Sequence, residues 1–174
     1  MVVHLMELKI NVFIAILFIL LIACSSKSDI NKKFVLKYGK ENFDEFRNTA
    51  FLIRSSDYNG GIIIFAYDYR LNPNSDTIRP YIITVDEKSS QIKNISCHLM
   101  KDSTKVDRKG LEKLEFRFRK YPIQSLYVDS NNNVLINLKY GDRPNLIKFS
   151  ELKFKSNRYD GWEQIKDNWY QKVE

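Results

Sequence analysis

The sequence predicts an α+β domain with a single antiparallel sheet of about five or six strands and two or three helices packed on it. Runs of β-branched and aromatic residues, which are typical of strands, follow one another along the chain. Short polar turns separate several of these runs, and strands joined in this way are antiparallel because parallel pairs need long crossovers. Other stretches repeat apolar residues every three or four positions, as amphipathic helices do. Together these patterns indicate one sheet with helices on one face.

Three stretches have the apolar spacing of a helix. The first covers residues 42–54, where Asn42 is a good N-cap and the apolar positions are Phe43, Phe46, Ala50 and Ile53. The second covers residues 111–121 and ends at Pro122, although Leu114, Phe116 and Phe118 also alternate as they would in a strand. The third begins with Asp160 as its cap, and its apolar stripe is Trp162, Ile165, Trp169 and Val173.

The predicted strands fall between these helices. Three of them follow the first helix, at Ile62–Tyr69, Tyr81–Val85 and Gln91–Met100. After the second helix, the turn-forming residues 129–133 separate two further strands and predict a hairpin from Ile123–Val128 and Val134–Tyr140. One more strand is predicted at Asn145–Phe149.

The N-terminus has the three parts of an export signal. Lys9 precedes the apolar run Val12–Ile22, and the small residue Ala23 follows it. The run is shorter than the roughly 20 apolar residues that a membrane-spanning helix needs. We therefore expect residues 1–23 to be a signal peptide that is removed, with translation beginning at Met1 or at Met6.

The residues at the expected cleavage site carry a resemblance. Leu21-Ile22-Ala23-Cys24 resembles the lipobox of bacterial lipoproteins, a match of four residues with their context. The resemblance implies cleavage before Cys24, diacylglycerol on its sulfur and acylation of the new amine, for example with palmitate. Because two or more acyl chains are needed for stable anchoring, the implied partner is a membrane. Ser25 favours the outer membrane by analogy with enteric-type bacteria and leaves the periplasmic or surface side open, and an ordinary signal peptide ending near a cysteine is the alternative.

This anchor sets the expected domain organisation. Residues 24–33 would form the lipidated cysteine and a short polar tether, and residues 34–174 would form a single globular domain. With Cys24 acylated, Cys97 is left alone, so we expect no internal disulfide and interpret Cys97 as a buried, inert thiol.

The net charge of +7 does not predict a nucleic-acid partner, because the export signal places the chain outside the cytoplasm and the charges are scattered. The densest basic group is Arg117, Arg119 and Lys120, on the polar side of the second helix. We interpret these residues as a solvated face, with attraction to anionic components of the envelope as the alternative.

Catalytic and metal-binding motifs are weak in this sequence. His98 follows Cys97 directly, and adjacent strand residues point to opposite faces, so the two do not make a dyad. The sequence contains no Gly-x-Ser-x-Gly elbow, no paired Cys/His metal motif and no carboxylate pair that stands out for glycoside cleavage. We therefore predict no catalytic residue, no cofactor and no metal ligand.

A calcium loop is the one metal site that the spacing suggests. Asp129, Asn131 and Asn133 occupy alternate positions, as at the start of an EF-hand-type loop. Val134 stands where that loop needs glycine, and Tyr140 stands where it needs glutamate. A hairpin turn explains the same residues, so we prefer the turn.

The candidate ligand-binding face is a set of aromatic residues, Phe65, Tyr67, Tyr69 and Tyr81. The first three alternate on one strand face, and exposed rings of this kind stack on sugar or peptide. Because the opposite positions become polar at Asp68 and Arg70, we favour the aromatic face as the inward, core-facing one. The same interpretation applies to Trp162 and Trp169.

These observations predict a lipid-anchored protein of the cell envelope that acts as a non-catalytic binding or interaction module. Assembly factors, inhibitors and immunity-type proteins fall in this class, and an envelope protein is a candidate partner beside the membrane. The alternative is a small envelope hydrolase or a carbohydrate-binding protein that uses carboxylates and the tyrosine-bearing strand. An enzyme is therefore the less favoured class.

Overall fold

The computed structural model describes residues 30–56, 61–70, 80–97, 107–139, 143–151 and 161–173. The strands of these residues form one nine-stranded antiparallel sheet. In chain order they are β1 Thr49–Ser56, β2 Gly61–Asp68, β3 Tyr81–Asp86, β4 Ile92–Cys97, β5 Ser125–Val128, β6 Val134–Asn137, β7 Leu146–Lys148, β8 Trp162–Lys166 and β9 Trp169–Lys172. Their order across the sheet is β4-β3-β2-β1-β5-β6-β7-β9-β8.

Two α-helices and one short 3-10 helix accompany the described strands. Helix α1 covers residues 30–38 and begins inside the stretch that the sequence predicts as a tether. The 3-10 helix is Asp44–Phe46, and helix α2 is Arg108–Phe118. Among the described residues, no helix is long and apolar enough to cross a membrane.

The chain divides into two compact units, Met1–Lys40 and Glu41–Glu174. Helix α1 belongs to the first unit, where the rings of Phe34 and Tyr38 lie 4.9 Å apart. The second unit holds the whole sheet and α2. The candidate site described below lies entirely in this second unit.

Helix α2 forms where the sequence predicts a helix, and its ends follow from local chemistry. The Asp107 carboxylate accepts a hydrogen bond from the Gly110 backbone N–H at 2.9 Å, which caps the first turn. The buried residues of α2 recur at helical spacing and are Leu111, Leu114, Glu115 and Phe118. The helix ends four residues before Pro122, so the helical interpretation of this stretch is confirmed.

The core lies between α2 and one face of the sheet. We call this the covered face; its fully buried side chains include Phe51, Ile64, Ile83, Leu126 and Ile136. Phe118 of α2 stacks on Phe51 with ring centroids 5.3 Å apart, and Phe46 meets Phe51 edge-on at 5.9 Å. The opposite face carries half-exposed side chains such as Leu52, Tyr67 and Leu135, and we call it the open face.

The predicted sheet of five or six strands with helices packed on it is wrong, because the described sheet has nine strands and dominates the fold. Residues 42–54 account for one of the missing strands. They form a 3-10 helix followed by β1 instead of one α-helix. Thr49, Phe51 and Ile53 also alternate, and β1 pairs with β2 on one side and β5 on the other. This two-sided pairing outweighs the weak helical spacing.

The predicted C-terminal helix is also wrong. Strands β8 and β9 form a hairpin there, and Asp167 and Asn168 make its turn. Asp167 adopts a left-handed φ of 52°, which Asp tolerates better than most residues. The turn formers lie in the middle of the apolar stripe, so the helical spacing of the two tryptophans is a coincidence of hairpin geometry. Asp160, the predicted cap, lies outside the described residues.

The predicted hairpin at residues 123–140 is confirmed as β5 and β6. One carboxylate oxygen of Asp129 accepts from the backbone N–H groups of Asn131 and Asn133 at 2.8 and 2.9 Å. The other oxygen accepts from the Asn133 side-chain amide at 2.9 Å. The loop residues that resemble a calcium site therefore hold the turn together through their own hydrogen bonds.

Replacing Asp129 with alanine is expected to lower the free energy of unfolding by about 1–2 kcal/mol, because two turn N–H groups lose their acceptor. Urea denaturation measures the change. Ser130→Ala, at an exposed position of the same loop, is the matched control and should stay within about 0.5 kcal/mol of the parent. Equal effects of the two substitutions would contradict the assigned role of Asp129.

Candidate functional site

A groove of about 380 Å³ lies on the open face at the centre of the sheet. Strands β1 and β5 form its floor, where the small residues Ala50 and Ser125 leave room between larger neighbours. Tyr67 pairs with Ala50 from one side and Tyr127 pairs with it from the other. The groove therefore exists because small outward residues on β1 and β5 lie between aromatic ones.

Three tyrosine rings form a continuous aromatic wall of the groove. Tyr67 and Tyr69 lie 6.5 Å apart with nearly parallel rings, and Tyr69 meets Tyr127 edge-on at 5.7 Å. Burial raises the pKa of Tyr69, and the neighbouring phenols of Tyr127 and Tyr67 raise it further. Burial also raises the pKa of Tyr127. Tyr69 and Tyr127 therefore contact the groove as neutral phenols near neutral pH.

Two arginines give the groove its charge. Arg54 on β1 and Arg143 just before β7 both line it, and both side chains are exposed. Among the described residues, neither arginine forms an ion pair, and the groove lining includes no Asp or Glu. Ser125 on the floor and Asn137 on the neighbouring strand β6 add polar atoms to the lining. The groove thus combines aromatic surface with positive charge that no described carboxylate neutralises.

The structure separates the four aromatic residues predicted as a ligand face. Phe65 and Tyr67 lie half-exposed on the open face, and Tyr69 follows directly after β2. Tyr81 is buried on the covered face, across from Ala66. The preference for a core-facing role of Phe65 and Tyr67 is wrong, because the alternate residues Ile64 and Ala66 fill the core instead.

The sequence reasoning missed Tyr127, Arg54 and Arg143. Tyr127 carries a usable signal, since it lies between the apolar residues Leu126 and Val128 and must point to the opposite face. The two arginines carry no local signal. Arg54 reaches the groove because β1 lies beside β5. Arg143 reaches it because β7 lies two strands from β5 in the sheet.

A second cavity, of about 210 Å³, lies beside Lys148 and Phe43. Burial lowers the pKa of Lys148, and the carboxylates of Asp44 and Glu41 oppose that shift. The ammonium donates to the Glu41 backbone carbonyl at 3.0 Å and lies over the rings of Phe43 and Trp169 at 5.7 and 5.6 Å. These contacts give Lys148 a structural role in joining the 3-10 helix region to β7 and β9.

The remaining candidates lie apart from the groove or outside the described residues. Cys97 is a free thiol on the edge strand β4 and is half-buried, less enclosed than the sequence suggests. Trp162 is half-exposed, whereas Trp169 is buried in the core. Cys24 and His98 lie outside the described residues. Within the described part of the chain, no three His, Cys, Asp or Glu side chains come together in a metal-binding group.

Comparisons with protein-family models, with curated proteins and with solved structures find no match to this chain.

Proposed function

We propose that this chain is a lipid-anchored protein of the cell envelope that binds a ligand in the groove on its open face without converting it. The observation that carries the proposal is the groove itself, in which the Tyr67–Tyr69–Tyr127 wall lies beside two arginines that no described carboxylate pairs with. Concave sites with much apolar surface and a few polar groups are the usual form of ligand sites.

The composition of the groove favours binding over catalysis. Its described lining has no His, Cys, Asp, Glu or Lys that would act as a general base or nucleophile. Arginine keeps its proton at all physiological pH values, and the raised pKa values of Tyr69 and Tyr127 keep those phenols neutral. A hydrolase using carboxylates therefore gains no support from this site, whereas carbohydrate binding is compatible with the tyrosine wall.

The proposed anchor rests on Leu21-Ile22-Ala23-Cys24. Replacing Cys24 with alanine is expected to abolish acylation, because the thiol that receives the diacylglycerol is gone. Metabolic labelling with a palmitate analogue, followed by membrane fractionation, measures both the label and the anchoring. Cys97→Ala is the matched control and should keep the label. A labelled Cys24→Ala protein, or an unlabelled parent, would contradict the anchor.

Site-specific photocrosslinking in cells tests the groove as the binding site. A photoreactive phenylalanine analogue at position 127 is expected to capture an envelope component. The same analogue at position 116 on α2 is the control, because Phe116 is an exposed aromatic residue that does not line the groove. Equal capture at both positions, or none at position 127, would contradict the proposed binding site.

A further inference from the structure

We propose that the groove binds an acidic saccharide, with a sugar ring lying on the tyrosine wall and carboxylates paired with Arg54 and Arg143. This inference rests on the proposed binding function and adds the chemical class of the ligand. It follows from the charge of the groove, the arrangement of its rings and its place in the sheet.

The charge of the groove indicates an anionic ligand. Arg54 and Arg143 are its charged side chains, and no carboxylate among the described residues pairs with either. By contrast, other described arginines have partners: Arg70 pairs with Asp68, and Arg108 pairs with Glu112 at 3.0 Å. The planar guanidinium group matches the two oxygens of a carboxylate. A carboxylated ligand would therefore supply the anionic partners that the described residues do not supply.

The arrangement of the rings confines a ligand to the outer surface of the wall. The centroid distances of 6.5 and 5.7 Å place each tyrosine in direct contact with the next, so no flat base fits between them. What remains available is the outer surface of the wall, where Tyr127 is 36% exposed. The apolar C–H face of a sugar ring would cover such a surface, while its hydroxyl groups would reach Ser125 on the floor and Asn137 on β6.

The position of the groove disfavours an extended peptide. Peptides bound by strand addition use the unpaired backbone groups of a sheet edge. The groove lies instead over β1 and β5, and each of these strands has a neighbour on both sides. Recognition here must come from side chains, and the volume of about 380 Å³ suits a compact ligand.

The state of the tyrosine hydroxyls is consistent with an anionic ligand. Burial raises the pKa of Tyr69 and of Tyr127, so both keep their protons at neutral pH. A neutral phenol donates a hydrogen bond and does not repel a carboxylate. The wall therefore adds donors to the positive charge of the two arginines.

Calorimetric titration of the full-length protein in detergent tests the inference with a matched pair of probes. A galacturonic acid trimer carries a carboxylate on every ring, and its methyl ester has the same rings without charge. We expect the acid to bind and the ester to bind at least about tenfold more weakly. Arg54→Gln and Arg143→Gln should each weaken acid binding about tenfold, and added salt should weaken it further. Arg108→Gln, on the exposed side of α2, is the charge-matched control and should leave the affinity unchanged.

Tyr127→Leu should also weaken acid binding, while Phe116→Ala should not. Circular dichroism checks that every variant is folded. Equal binding of acid and ester, unchanged binding in both arginine variants, or tighter binding of a single-stranded oligothymidine would overturn the saccharide inference. If neither sugar binds but position 127 still captures an envelope component in cells, the ligand class is wrong and the proposed binding function stands. If capture at position 127 is also absent, both are wrong.

Discussion

Replacing Phe51 with alanine is expected to lower the free energy of unfolding by about 4 kcal/mol, as large-to-small substitutions of buried phenylalanine do. Phe51 is only 1% exposed and lies at the centre of the covered face. Its ring contacts Phe118 of α2 at 5.3 Å and Phe46 of the 3-10 helix at 5.9 Å. Alanine would leave a cavity between the sheet and both helical segments, in addition to losing buried apolar surface.

Urea denaturation measures this loss, and Phe116→Ala is the matched control. Phe116 is also a phenylalanine of the second unit, but it is 59% exposed on the outer side of α2. Its substitution should change the free energy of unfolding by less than about 0.5 kcal/mol. A Phe51→Ala loss below about 1.5 kcal/mol would show that α2 does not pack on the sheet through this ring.

Replacing Arg119 with methionine is expected to lower the free energy of unfolding at pH 7 by about 3 kcal/mol. Arg119 pairs with Glu115, whose side chain is 0% exposed. One guanidinium nitrogen of Arg119 donates to a carboxylate oxygen of Glu115 at 3.1 Å. The same nitrogen donates to the Ser90 carbonyl at 3.0 Å, which ties α2 to the turn between β3 and β4. Without Arg119, Glu115 would remain as a buried charge with no cation, which is costly.

The pH dependence of this loss separates the buried charge from lost packing. Burial raises the pKa of Glu115 above its ordinary 4.5, against the opposing effect of Arg119. The folded protein therefore binds this proton more tightly than the unfolded chain does. Stability from this group is complete below the unfolded pKa and is lost as pH rises through the folded pKa. Losing Arg119 raises the folded pKa of Glu115 further, so the cost of Arg119→Met should shrink as pH falls from 7 through these raised pKa values and be smallest below about 4.5.

Two further variants complete the test. Glu115→Gln in the Arg119→Met background should recover much of the stability at pH 7, because no buried charge remains. The control is Arg108→Met, which breaks an exposed Arg–Glu pair of the same helix and the same spacing, and should cost less than about 0.5 kcal/mol. A loss for Arg119→Met that is the same at pH 4 and pH 7 would contradict the role assigned to Glu115.

The sequence predicted correctly those elements in which the apolar periodicity and the turn or cap residues indicate the same structure. Helix α2, strands β2 and β3 and the β5–β6 hairpin combine clear periodicity with turn or cap residues, and all are present. The predictions failed at residues 42–54 and 162–173, where apolar residues at helical spacing belong to strands. There the pairing of β1 with two neighbours, and of β9 with β7 and β8, decides the conformation. Such pairing depends on residues far away in the sequence.

The groove was predictable only in part for a related reason. Tyr67 and Tyr69 lie two residues apart, so one strand pattern reveals them both. Tyr127 and Arg143 join them from beyond α2, after a connection that returns the chain from β4 at one sheet edge to β5 beside β1. No local pattern encodes that return, so the arginines and the third ring could not be assigned to the site beforehand.

The strand order also has a consequence for how this sheet can be divided. Within the described strands, β1–β4 are ordered as they occur in the chain, and backbone pairing between them and β5–β9 is confined to β1 with β5. A cut between Cys97 and Asp107 would leave every other strand pair inside a single fragment. Two fragments expressed together should therefore reassemble along β1 and β5, with Phe51 and Leu126 meeting across the junction. Since the groove spans that junction, binding of the proposed ligand would report reassembly directly.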